Sequence, residues 1–147
     1  MAIYGAGSIW DGKVEMKDQF FSNSNFVIGW DYIDAKDLYT AVTALRVGDI
    51  IYLKSSASGS RSINVKGIGI VTHSFIDYLI DSHTPTTAIS SRNGFAIKVK
   101  WTIIDSFNVT IPATEGKLTN VRAATFYEEN LPFVQKAIIE KFIGQTI

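Results

Sequence analysis

Few side chains in this sequence can do chemistry. Two histidines, His73 and His83, stand ten residues apart, and cysteine is absent. Without an HExxH pattern or carboxylates at ligand spacing, the imidazoles predict no metal centre. Serines crowd residues 55–62, yet neither a GxSxG nucleophile elbow nor a GxxxxGK(S/T) phosphate loop occurs. Asp11, Asp31, Asp34 and Asp49 fall at turns and helix starts, where carboxylates usually satisfy backbone donors. No pattern assembles a nucleophile, a base and an oxyanion site, so no catalysis and no cofactor are expected.

Binding has better candidates. Trp10 sits in a glycine-flanked loop, Trp30 follows a β-branched and aromatic run, and Trp101 ends an alternating one. An indole face stacks on a nucleobase for about 1–3 kcal/mol, and an aromatic pocket suits modified or flipped bases. Plain core packing competes with that role. Trp101, on the apolar face of its segment, reads as core; Trp30 and Trp10 fit either role.

The elements that would position these residues follow from periodicity. Ala2–Ala6 reads as a strand breaking at Gly5 and Gly7, and residues 13–22 place Val14, Met16, Phe20 and Phe21 near helical spacing. Phe26–Trp30 reads as a short buried strand. Asp34 is placed to cap a helix carrying Leu38, Ala41, Val42 and Leu45. Residues 48–71 predict a hairpin: IIYLK, a Ser/Gly-rich loop at 55–62, then INVKGIGIV. Gly67 and Gly69, two apart, either mark a bend or bare one face to a flat ligand. FAIKVKWTII at 95–104 alternates apolar and basic residues as a half-buried strand does. A further strand is expected near Asn120–Ala124. A helix from about Leu131 to Ile143 follows, with Asn130 as cap, Pro132 in its first turn and Gly144 as its stop. Residues 74–94 support no assignment.

The order FVIGWD, a short helix, VGDIIYLKSS, VKGIGIV and FAIKVKW resembles the PUA-like domains of EVE and YTH-like type, as in the N-terminal modules of modification-dependent restriction systems. The resemblance covers roughly residues 1–105. It implies an α+β fold, a small twisted β-barrel of about five to seven strands flanked by about three helices. It also implies a pocket for a flipped base: Gly7 and Ser8 at the first loop, Trp30 as principal wall with Trp10 nearby, and Ser55 and Ser56 at a strand end. Thr72 would stand on the rim. Lys54, Arg61, Lys98 and Arg122 would contact phosphates.

Composition sets bounds on those expectations. The 147 residues suit one domain, residues 1–147. Fourteen basic and fourteen acidic residues cancel, so no global field draws in a polyanion. No stretch approaches the ~20 apolar residues of a membrane span, and the start carries no leader-like pattern. A cytoplasmic protein without a membrane partner is expected. The expected activity is non-catalytic binding of a modified or flipped nucleobase of DNA or RNA. Its alternatives are sequestration of a free nucleotide or cyclic-nucleotide immune signal, of the phage anti-defence kind, and inhibition of another protein through a surface.

Overall fold

The computed structural model describes residues 1–30, 32–56, 59–74, 76–77, 80, 97–115 and 124–146. The predicted hairpin forms from β5 (Ile50–Ser55) and β6 (Ser62–His73), in register from Ile50↔Ile70 to Ser55↔Asn64. Its apolar runs are nearly continuous because both faces of the sheet are covered. Ile51 and Leu53 point into one core, and Ile50 and Tyr52 into another.

Around the hairpin the sheet grows in both directions. β1 (Ile3–Gly7) lies parallel to β5, and β9 (Phe126–Glu128) pairs antiparallel with β1. On the far side of β6 lie β7 (Ile97–Ile103) and β8 (Phe107–Thr110), two pieces of one strand interrupted at residues 104–106. β4 (Asn25–Phe26) pairs with β7 at the outer edge. The result is a mixed seven-stranded sheet in the order β4-β7-β6-β5-β1-β9, with β8 also on β6. A separate two-stranded hairpin, β2 (Ile9–Trp10) and β3 (Val14–Glu15), projects from the end of β1.

The sheet curls until its two ends meet through aromatic rings. Phe126 on β9 stacks on Tyr4 of β1 at 5.2 Å and on Phe26 of β4 at 6.0 Å. Phe26 meets Phe20 edge-on at 5.6 Å. These contacts close the concave face over Met16, Phe20, Tyr39, Val42 and Leu45, carried by α1 (Lys17–Asn23), α2 (Lys36–Thr43) and their flanks. α3 (Pro132–Thr146) covers the opposite face through Val134 and Ile138. Its approach is fixed by buried Glu129, whose carboxylate accepts from the Tyr52 hydroxyl at 2.7 Å and the Leu131 N–H at 3.2 Å. The architecture is thus α+β: a curled half-barrel sheet and three α-helices among the described residues. No helix among them is long and apolar enough to cross a membrane.

Several boundaries depart from the sequence expectations. Residues 14–15 form β3, so α1 begins only at Lys17. The expected strand at 26–30 pairs only through Phe26, after which the chain leaves the sheet at Gly29. Asp34 does not cap α2: it sits in a 3₁₀ turn (Tyr32–Asp34), and Ala35 holds the cap position without a side-chain hydrogen bond. Asn130 is no cap either, because α3 starts at Pro132 and runs through Gly144 to Thr146. The last strand is three residues at 126–128, and most of the 120–124 segment lies outside the described residues.

If the ring of Phe126 holds the two sheet ends together, Phe126→Ala should cost about 3–5 kcal/mol in urea unfolding. A loss below about 1 kcal/mol would place the closure elsewhere.

Candidate functional site

Gly29 is where the chain turns outward, and Trp10 explains why it is glycine. A methyl group added at Gly29 would lie 2.7–2.9 Å from the indole ring of Trp10. One residue later the Trp30 carbonyl accepts the hydroxyl of buried Tyr39 at 2.6 Å. The backbone at 29–30 is therefore flanked by Trp10 and held by Tyr39, while Trp30 remains 53% exposed. An indole this exposed adds little to the core and offers an apolar face to a ligand.

That face lines an open groove of about 570 Å³. It is also lined by the stretch Ile33–Leu38, which spans the end of the 3₁₀ turn and the first turn of α2, and by Thr125. Its charged groups are the Asp34 and Asp37 carboxylates and the Lys36 ammonium. Thr125 is held by the first strand: the Gly7 N–H donates to its carbonyl at 2.7 Å. Two smaller grooves, about 460 and 430 Å³, flank α3 around Phe133 and contain none of the predicted site residues.

The predicted site residues separate into groups. Gly7, Trp10 and Trp30 converge, with Gly7 acting through its backbone and Trp10 as the support beneath Gly29. Ser8 lies beside them but is 1% exposed, and its hydroxyl is committed: it donates to Glu15 Oε1 at 2.7 Å and accepts from Lys66 Nζ at 3.2 Å. Ser55 is exposed at the same end of the sheet, one residue beyond the Gly7↔Lys54 pair. The hydroxyl of Ser56 reaches the Ser62 carbonyl at 3.5 Å within its own loop.

Thr72 does not belong to this constellation. It follows Val71, which is bonded to Gly48 and Asp49 at the opposite end of the hairpin. Eight residues of strand separate it from the register of Ser55, roughly 25 Å.

The proposed phosphate contacts are dispersed as well. Lys54 is buried, donates to the Ala124 carbonyl at 2.8 Å and lies 5.3 Å from the Tyr127 ring centroid. Burial first, and the nearby Lys66 charge second, push its ammonium down to about 8. It holds the 124–125 segment from below. Arg61 donates to the Pro112 carbonyl at 3.0 Å, tying its loop to the end of β8. Lys98 pairs in register with His73 and Asn25, at the Thr72 end. Arg122 lies outside the described residues.

The glycine face of β6 is occupied by the protein's own rings. A methyl at Gly67 would meet Phe21 at 2.7 Å, and one at Gly69 would meet Val99, and Trp101 at 2.8 Å. Phe21 and Trp101 also pack edge-on at 5.4 Å, and the Trp101 indole N–H donates to the Asn25 carbonyl. No ligand face remains there.

The sequence gives no local signal for the device that anchors the β2–β3 hairpin. In the β5–β6 ladder Leu53 faces Gly67 and Lys54 faces Val65, so Lys66 is an extra residue in a β-bulge. The bulge aims its buried ammonium at Glu15 Oε2, 2.9 Å away. Burial pushes the Glu15 carboxyl up, but hydrogen bonds from Lys66 and Ser8 outweigh it and hold the group below its usual range. This pair anchors the hairpin that carries Trp10, and so the support of Trp30.

The chain matches no protein-family model, and no curated protein matches its sequence.

Lys66 is less exposed than Glu15, with side chains 10% and 33% accessible, so stranding the lysine should be the more damaging change. Glu15→Gln should destabilise by about 1–3 kcal/mol and Lys66→Met by less. The native pair contributes fully above the unfolded-state pKa, about 4.3, and is lost as pH falls through the lower folded value. Glu15→Gln should therefore remove part of the loss of stability below about pH 4 in acid titrations followed by circular dichroism. An unchanged acid limb would rule out the pair as the source.

Proposed function

We propose that this chain is a non-catalytic, PUA-like binding domain whose Trp30 groove holds the planar base of a nucleoside or nucleotide. The observation that carries the reading is the exposed indole of Trp30, on a backbone held by the Tyr39 hydroxyl, lining a groove large enough for a base and its sugar. The curled sheet with helices on both faces and a first loop leading toward the groove supports the PUA-like part.

A free ligand is favoured over a base flipped from DNA or RNA. Polymer binding draws on a track of cations neutralising successive phosphates. Here Lys54 is buried, Arg61 is tied to Pro112, and Lys98, paired with Asn25 of β4, is not among the residues lining the groove. The groove itself carries two acidic groups and one basic group. A domain of this kind acts by holding its ligand, as a sensor or a sequestering protein does.

Calorimetric titration with nucleosides tests the reading. Trp30→Ala should weaken binding roughly 5- to 150-fold, the equivalent of about 1–3 kcal/mol of stacking, while the melting temperature stays within a few degrees of the native value. Native-like binding by the variant, or no binding by the native protein, would overturn it.

A further inference from the structure

The β2–β3 hairpin is weakly supported for an element that sits beside the Trp30 groove. It has two residues per strand and, among the described residues, pairs with no strand of the main sheet. A hairpin of that size is marginal in water on its own. Its tip is a tight turn with Asp11 and Gly12 at φ +53° and +67°, closed by the Lys13 N–H donating to the Trp10 carbonyl. Ile9 and Val14 are half exposed and add little burial. The hairpin is docked by Trp10, tilted against Phe20 at 6.3 Å, by the Met16 N–H donating to the Ser8 carbonyl, and by the Lys66–Glu15–Ser8 cluster. Elements with so few buried contacts open locally at low free energy.

Of these supports the cluster is the one whose charge titrates. Three groups meet the Glu15 carboxylate: the Lys66 ammonium on β6, the Ser8 hydroxyl just after β1 and the Lys17 N–H at the start of α1. Lys54 on β5 neighbours Lys66, while Asp11 and Lys13 stand exposed at the hairpin tip. Burial raises the Glu15 carboxyl and is outweighed by the hydrogen bonds, so the group stays ionised until pH falls below the usual carboxylate range. Once protonated it no longer offsets the Lys66 charge, and the buried ammonium keeps the Ser8 hydroxyl at 3.2 Å. Opening the hairpin returns that ammonium to water. Trp10 moves with the hairpin, and its ring occupies the space a methyl at Gly29 would need, one residue before the Trp30 that lines the groove.

We infer that the β2–β3 hairpin is an acid-released latch on the Trp30 groove: protonation of Glu15 frees the hairpin from Lys66, Trp10 leaves Gly29, and the groove holds its ligand less tightly. The effect on affinity rests on the reading of the groove as a base site; the movement of Trp10 does not. By linkage, a ligand bound to the latched groove makes Glu15 harder to protonate.

The test follows the indole N–H resonances of the isotopically labelled full chain. At neutral pH, Glu15→Gln, which mimics the protonated carboxyl, should shift the Trp10 and Trp30 signals, leave Trp101 in place and speed amide exchange in the hairpin at least about tenfold relative to β6. In the native chain the same shift should appear on acidification, with the midpoint of the Glu15 carboxyl read from its own carbon signal. That second measurement decides the matter if Glu15→Gln does not fold. A Trp10 signal that ignores the state of Glu15 overturns the latch, and one that moves while Trp30 stays overturns its link to the groove. Guanosine, as the probe ligand, should bind Glu15→Gln at least about fivefold more weakly than the native chain at neutral pH. Equal affinity overturns the regulation. Absence of nucleoside binding by the native chain overturns the base reading and the effect on affinity with it, and the resonances then decide the latch alone.

Discussion

Phe126 lies between Tyr4 and Phe26, and through it the first and last paired segments of a seven-stranded sheet meet. Without this stack the sheet would be open, with β4 and β9 as unrelated edges. Each aromatic pair contributes about 0.5–1.5 kcal/mol beyond the area it buries. Their larger effect is geometric. Closure brings the end of β9, with Thr125 just before it, beside the segment that leaves β4 through Gly29 to Trp30. Both ends of the sheet are represented in the groove, through Thr125 and Trp30.

The groove is held by few, specific supports. Trp10 rests on Gly29, the Tyr39 hydroxyl holds the Trp30 carbonyl, and the Gly7 N–H and Lys54 ammonium hold successive carbonyls at 125 and 124. The hairpin bearing Trp10 is anchored in turn by the Lys66–Glu15–Ser8 cluster, which exists because one residue of β6 is surplus to its ladder. Residues that resemble catalytic or phosphate-binding groups in sequence are here structural supports. Ser8 and Lys54 are buried and hydrogen-bonded, and burial is what removes them from ligand contact.

Much of this fold was legible in the sequence because its signals are local. The IIYLK and INVKGIGIV runs gave the hairpin, the spacing of Leu38, Ala41 and Val42 gave α2, and Pro132 marked the start of α3. Of the candidate residues, Trp30, Trp10 and Gly7 are brought together around the groove. Thr125 and the Ile33–Asp37 wall join it through sheet closure, which no periodicity encodes, and Asp34 read as a cap because carboxylates before helices usually are. Gly67 and Gly69 left a bend or a face for a flat ligand open, and the sequence cannot say that Phe21 and Trp101 cover that face. Thr72 stands at the opposite end of the hairpin from Ser55 because strand pairing, not sequence distance, decides which end of a sheet a residue occupies.

The central claim, that ligand is held on Trp30, is tested most directly by the indole N–H resonances of the three tryptophans. On addition of guanosine to the isotopically labelled protein, the account predicts a large shift for Trp30 and a smaller one for Trp10, which backs it through Gly29. Trp101, whose indole N–H is bonded to the Asn25 carbonyl on another part of the sheet, should stay in place. A stationary Trp30 signal, with ligand present well above the binding midpoint, would contradict the account.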